Sequence, residues 1–260
     1  MPLLPARSST ARAVLPPHPV LRSYYTDRRQ QRAFLSRVFD RSAANYDRIE
    51  TLMALGSGRW YRRRALRRAG LAPGMRVLDV AVGTGLVARE AIGIVGDPRL
   101  VIGLDPSPAM IHQAIRLLGI GAVLGIGERI PLLDAGFDFV SMGYALRHLD
   151  DLHAAFSEFH RVLKPAGRIC ILEIARPRFT PHRWALRAYL RHIVPAMARF
   201  ASHGGDSALL WKYYWDTIDS CIPPQTVVEC LRSCGFANVR HRMELGMFAE
   251  YTATRATADP

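Results

Sequence analysis

Val77-Leu78-Asp79-Val80-Ala81-Val82-Gly83-Thr84-Gly85, followed by Val101-Ile102-Gly103-Leu104-Asp105, decides the fold of this chain. Both are apolar runs that carry an acid, and the first opens into a glycine-bearing turn. In an open parallel α/β sheet, ligands sit outside the carboxyl ends of the strands, so Asp79 and Asp105 would face one crevice. Glycine lets the backbone approach a ligand closely, and a carboxylate one strand over can grip a ribose. The pattern predicts a nucleoside-cofactor site. A dinucleotide site needs G-x-G-x-x-G, because pyrophosphate rests on a helix N-terminus. The spacing here is Asp79-x-Ala81-x-Gly83-x-Gly85 followed by Leu86-Val87-Ala88, without the third glycine. An acid at the first position repels a pyrophosphate and suits a ligand with a cationic end. S-adenosylmethionine carries an ammonium and a sulfonium, and is the expected cofactor. An ordinary buried strand and tight turn would explain the glycines but not two acids at strand ends.

Outward from this stretch the pattern alternates. Strands are predicted at 76–82, 100–105, 121–126, 137–143 and 168–174, with helices at 85–94, 107–118 and 151–163. The βαβα order implies a doubly wound, mostly parallel sheet. The runs 237–243 and 247–254 would close it as an antiparallel hairpin, for seven strands in all. Residues 21–70 read as an N-terminal helical lid: Ala33, Phe34, Val38 and Phe39 recur at helix spacing, and Trp60 to Ala69 forms an Arg-rich helix ended by Gly70. Residues 71–255 form the cofactor-binding core, with 176–235 as a helical insertion after the fifth strand. Residues 1–20 contain Pro2, Pro5, Pro16, Pro17 and Pro19 and are expected to be a disordered tail; the prolines argue against the amphipathic helix of a transit peptide.

The 260 residues suit one domain with additions, and no apolar stretch reaches membrane-spanning length. The net charge of +13 is concentrated at the front, where residues 1–70 hold fifteen Arg against four acids. Lysine occurs only at 164 and 212, so base composition of the gene also explains arginine richness, and no nucleic-acid-binding module is present. Within 182–200, Leu186, Tyr189, Leu190, Ile193, Val194 and Met197 follow one helical face, with Arg183, Arg187, Arg191 and Trp184 opposite. Such a helix either lies solvated on the core or docks on an anionic membrane, and the chain is expected in the cytoplasm or peripheral at the inner membrane face. Cys170, Cys221, Cys230 and Cys234 form no disulfide framework, and no further ligand stands beside Cys230 and Cys234 in sequence, so no metal site is expected.

Several longer motifs resemble the ubiquinone/menaquinone-biosynthesis C-methyltransferase family, from about Val38 to Thr254. Val38-Phe39-Asp40 through Tyr46-Asp47 resembles its F-D-x-x-A-x-x-Y-D helix, and Tyr144-Ala145-Leu146-Arg147-His148 its G-L-R-N motif. Arg161-Val162-Leu163-Lys164-Pro165-Ala166-Gly167 resembles R-V-L-K-P-G-G, and Leu172-Glu173-Ile174-Ala175-Arg176-Pro177 resembles L-E-F-S-K-P. The chain departs from the family in diagnostic places. Arg48-Ile49-Glu50 follows Tyr46-Asp47 where the family has Met-Asn, Gly56-Ser57-Gly58-Arg59-Trp60 lacks the histidine of G-x-H-x-x-W, and Leu86 replaces the last acid of G-G-T-G-D. The resemblance implies a class I S-adenosylmethionine-dependent methyltransferase acting on a polyprenylated quinol. Another small-molecule O-, N- or C-methyltransferase remains open, as do a nonenzymatic S-adenosylmethionine-binding component of a lipid-pathway complex and thiol-dependent arsenite methylation. Monomer and homodimer are both compatible with the sequence.

Residue assignments follow. Asp79 is expected at the methionine ammonium, Gly83, Thr84 and Gly85 in the close turn, and Asp105 at the ribose hydroxyls. Ile126 and Gly127 would edge adenine through backbone contacts, with Gly143 under the methionine arm. Arg147 is always cationic and could stabilise a phenolate, with His148 titrating near neutrality as a general base; the alternative is a helix-start pair bonding Asp150 or Asp151. By resemblance, Tyr46 and Asp47 lie on the lid against the substrate, Tyr46 also beside the reacting centre. The segment Tyr213-Tyr214-Trp215-Asp216 resembles the one that closes the substrate pocket, so Tyr214, Trp215 and Asp216 are expected against substrate. An aromatic stripe of that kind can equally be core packing.

Overall fold

The computed structural model of the protein describes residues 13–42, 57–177, 179–194, 196 and 206–257. A seven-stranded sheet runs through it: β1 Val77–Val80, β2 Val101–Asp105, β3 Gly121–Leu124, β4 Phe137–Gly143, β5 Leu163–Ile174, β6 Phe236–Glu244 and β7 Phe248–Arg255. The strand order is β3-β2-β1-β4-β5-β7-β6. The first five strands pair in parallel, while β7 runs antiparallel to both β5 and β6. The expected closing hairpin is therefore present. The order reverses between β1 and β4, and the crevice at their carboxyl ends is the topological switch point where such sheets bind ligands.

Local chemistry sets the helix boundaries. Helix α1 covers Arg28–Ser42, α2 Ser57–Arg68, α3 Leu86–Val95, α4 Pro108–Leu118 and α5 Leu152–Val162. Ser107 caps α4 by accepting the Met110 amide at 3.1 Å, and Asp151 caps α5 by accepting the His153 amide. Buried residues of α5 and of α8 (Pro224–Ser233) cover one sheet face, those of α2 and α3 the other. A third apolar cluster, with Phe34 and Val38 of α1, Leu186 of α6 (Thr180–Ala188) and Tyr213 to Trp215 of α7 (Asp206–Ser220), lies apart from these two.

Two expectations change. Residues 13–20 are not a loose tail: the Leu15 amide donates to Asp151, the Leu152 amide to Leu15 and the Ile222 amide to Pro17, while Pro17 and His18 are buried. Prolines carry no amide hydrogen, so this arm hides in the fold with few donors to satisfy. The face predicted for the basic insertion helix is also interrupted. Tyr189–Ile193 forms a π turn, which widens the repeat so that Leu186, Leu190 and Val194 are buried while Ile193 turns outward.

Candidate active site

A cavity of about 300 Å³ opens at the switch point, lined from β1 by Asp79 to Thr84, from β2 by Leu104 to Ser107, and from β4 by Met142 to Ala145. Helix α1 contributes Arg32, Leu35, Ser36 and Phe39, which share one face at i, i+3, i+4 and i+7, and α7 contributes Tyr214. Ala81 and Tyr144, both lining residues, take positive φ values of 55° and 60°, a conformation that costs energy for residues with a Cβ. The strain sits where the two central strands turn away from the cavity.

Both predicted strand-end acids face this cavity. Asp79 is 1% exposed; its Oδ1 accepts the Ser141 hydroxyl at 2.6 Å, and its Oδ2 has no hydrogen-bond partner among the described residues. Burial pushes its carboxyl up to about 7, against the Ser141 hydroxyl and the nearby Ala88 amide. Asp105 accepts the Gly83 amide on Oδ2 and the Ser107 amide on Oδ1, both at 2.9 Å, which leaves each oxygen a further lone pair. Burial raises it to about 6, offset by those amides and reinforced by Asp40. Asp40 of α1 accepts the Ser107 hydroxyl, so the helix beside the cavity is tied to the strand-end loop.

The glycine turn leaves room for a ligand. Gly83 has φ +56°, and a Cβ there would point into open space in the cavity wall. Gly85 has a different constraint: φ is +94°, and a Cβ would stand 2.3 Å from Leu118. It starts α3 and does not line the cavity. Thr84, Ile126, Gly127 and Gly143 all line it. The orphaned Asp79 oxygen, the Asp105 lone pairs and the space over Gly83 fit an adenosine carrying a cationic amino-acid arm.

The remaining predicted residues divide. Arg147 is wholly buried and does not line the cavity. Its Nε donates to Glu173 at 2.9 Å, its Nη1 to Thr217 at 2.9 Å and to the Tyr214 carbonyl at 3.2 Å, and the guanidinium lies 4.9 Å from the Tyr214 ring centroid. The geometry thus replaces the expected phenolate contact with an internal ion pair, to Glu173 rather than to Asp150 or Asp151. His148 does line the cavity, stacked on Tyr213 with centroids 5.7 Å apart and edge-on to Phe39. Neither ring nitrogen has a hydrogen-bond partner among the described residues. Burial, with Arg147 and His18 beside it, holds the imidazole well below the usual histidine range, so it stays neutral rather than titrating near neutrality.

Tyr214 reaches the cavity, but Trp215 packs in the third apolar cluster and Asp216 accepts the Tyr24 hydroxyl at 2.6 Å. Tyr46 and Asp47 lie outside the described residues. None of Cys221, Cys230 and Cys234 lines the cavity, so thiol-dependent arsenite chemistry has no support there. Sequence reasoning missed Asp150, a cavity residue whose Oδ2 pairs with Arg32 and whose buried Oδ1 has no partner among the described residues. It also missed the inward face of α1, although the 32/35/36/39 spacing was readable.

The sheet order and the paired strand-end acids define the class I S-adenosylmethionine-dependent methyltransferases, and a solved S-adenosylmethionine-dependent methyltransferase from Thermotoga maritima shares the fold with a TM-score of 0.60, at 21% identity over 85% of this chain and 99% of that one. The model of the ubiE/COQ5 methyltransferase family matches residues 25–255, and the chain belongs to that family. It is similar to the ubiquinone/menaquinone biosynthesis C-methyltransferase UbiE of Edwardsiella ictaluri, with 31% identity over 80% of this chain and 84% of that protein. The same-named protein of Rubrivivax gelatinosus is also 31% identical, over 93% of this chain and 96% of its own length. The chain is accordingly a methyltransferase that uses S-adenosylmethionine, which sets aside the nonenzymatic reading.

With the cofactor's cationic arm set at Asp79, the raised carboxyl would make cofactor binding pH-dependent. A cationic arm favours the ionised carboxylate, so affinity is full above pH about 7 and falls as pH drops through 7, with a second loss through about 6 as Asp105 protonates. Calorimetry in buffers of different ionisation enthalpy should detect proton release at pH 6.5, and Asp79→Asn should flatten the profile around pH 7. Removing one member of the Arg147–Glu173 pair should cost about 3–5 kcal/mol, because it strands a buried charge. Thermal unfolding of Arg147→Met should show a Tm lowered by roughly 6 °C or more, while Arg147→Met with Glu173→Met regains most of it. A substrate-contacting arginine would instead leave Tm unchanged and lower turnover.

Proposed function

We propose that the chain methylates a ring carbon of a polyprenylated hydroquinone while peripherally docked on a membrane. The observation that carries this reading is His148, held neutral by burial and with no hydrogen-bond partner among the described residues, in a mostly apolar cavity walled by Leu35, Phe39, Met142, Leu149 and Tyr214. Bound S-adenosylmethionine supplies a methyl group on a sulfonium leaving group. The protein's task is then positioning and exclusion of water. Phe39, Leu149 and Tyr214 offer flat or apolar walls for an aromatic ring, and a neutral His148 nitrogen accepts a hydrogen bond from a ring hydroxyl. Drawing that proton toward His148 enriches the neighbouring ring carbon in electrons. Oδ1 of Asp150, without a hydrogen-bond partner among the described residues, is a second acceptor for a hydroxyl. Because Arg32 already pairs with Asp150, a cationic amine gains less there than a neutral diphenol does. The names of the curated relatives support a quinol acceptor.

Membrane docking is supported by the outer side of the insertion. Phe179, Trp184 and Ile193 are 73%, 62% and 50% exposed, beside Arg183 and Arg187, with Arg187 over the Trp184 ring at 5.2 Å. Aromatic and aliphatic groups among arginines suit the interface of an anionic bilayer.

Expression in a strain lacking quinone C-methylation should restore methylated quinone by mass spectrometry. Absence of rescue, with cofactor binding intact, would point to a different acceptor. His148→Ala should lower kcat at least tenfold with little change in S-adenosylmethionine affinity; equal losses in both would make the residue structural. Flotation with phosphatidylglycerol vesicles should be salt-sensitive, and should fall severalfold in the triple variant Phe179→Ser, Trp184→Ser, Ile193→Ser. Unchanged flotation of that variant would remove the insertion as the docking surface.

A further inference from the structure

A second side-chain cluster lies away from the cofactor cavity, where α5 and α8 cover one face of the sheet. Cys230 stands in the last turn of α8 and Cys234 just beyond it, one helical turn apart. Helix α5 packs against α8 and brings His153, from its first turn, to both thiols. His153 Nδ1 is 3.3 Å from Cys230 Sγ and 3.8 Å from Cys234 Sγ, and the three donor atoms all lie within 4.8 Å of one another. Two hydroxyls flank them: Ser157 Oγ is 3.8 Å from Cys234 Sγ, and Ser233 Oγ is 3.5 Å from His153 Nδ1. Neither cysteine is in a disulfide. None of these residues lines the cofactor cavity or enters the methyl-transfer reading.

We propose that His153, Cys230 and Cys234 form a zinc(II) site that clamps α5 to α8. Tetrahedral zinc with Zn–S near 2.3 Å and Zn–N near 2.05 Å sets S···N at about 3.6 Å and S···S at about 3.8 Å. The observed 3.3 and 3.8 Å S···N separations bracket that value without moving either helix. The donor set also selects the ion. Imidazole with two thiolates suits a borderline-soft cation, whereas calcium and magnesium require oxygen ligands and an iron–sulfur cluster requires four protein ligands. Three protein donors leave one tetrahedral position for water, and the Ser157 and Ser233 hydroxyls stand close enough to hydrogen-bond the thiolate and the outer solvent. His153 and Cys230 are 77 positions apart, so the ion would add a bond between two helices distant in sequence, where Cys234 Sγ already donates to the His153 carbonyl at 3.7 Å. Both thiols lose their protons when zinc binds. Zinc neither gains nor loses electrons, so no oxidant or reductant is involved.

The test uses the full chain, reduced and freed of metal, titrated with cobalt(II) and then zinc(II). One equivalent of cobalt should give sulfur-to-metal charge-transfer bands in the near ultraviolet and strong visible bands of a tetrahedral site, both erased by one equivalent of zinc. Zinc should also raise the Tm of the chain. His153→Ala and Cys234→Ala should each abolish the visible bands and the Tm shift, while Cys221→Ala, which alters a thiol outside the cluster, should retain both. Calorimetric binding of S-adenosylmethionine by each variant verifies that it folds. Octahedral cobalt spectra, no change on zinc addition, equal loss in Cys221→Ala, or a Cys230–Cys234 disulfide persisting under reduction would each overturn the proposal.

Discussion

The ion pair between Arg147 and Glu173 is the constraint on which the site depends. Both side chains are essentially removed from water, and the guanidinium donates outward from that pair to Thr217 and to the Tyr214 carbonyl. One cation thereby joins the turn after β4, the carboxyl end of β5 and the middle of α7. Its neighbour His148 and the ring of Tyr214 inherit their places in the cavity wall from that junction. Desolvating two charges is expensive, and their mutual attraction offsets the cost only when the remaining donors are also satisfied. Here Glu173 also accepts the Ile174 amide, so the pair sits in a connected network.

Burial works in the opposite sense on the two strand-end acids. Among the described residues Asp79 and Asp105 have no cationic partner, and burial raises their carboxyls. The protein thus holds a destabilised carboxylate where a cationic ligand can relieve it, and places neutral groups where the acceptor ring would lie. Arg147 is kept from the cavity, and the charged groups that line it among the described residues are Asp79, Asp105, Glu128 and the Arg32–Asp150 pair.

Much of this was legible because it depends on local patterns. Apolar runs gave the strands, helical spacing placed the segments between them, and the spacing after Asp79 excluded a dinucleotide. The misread elements have a common cause in long-range contacts. Proline content suggested a free tail, yet residues 13–20 pair with Asp151, Leu152 and Ile222, all far along the chain. Regular helical periodicity suggested one apolar face in the insertion, yet a π turn rotates Ile193 into solvent.

By itself the sequence determined the order of strands and helices, the cofactor and the two acids that line the cavity, because period and turn residues act within a few positions of the chain. Only the tertiary structure decided that Arg147 pairs with Glu173, that burial lowers His148, and that Asp150 faces the cavity. It alone brought His153 to Cys230 and Cys234. A residue type announces its chemistry, but burial and partners decide which chemistry is available, and those depend on segments that meet only after folding.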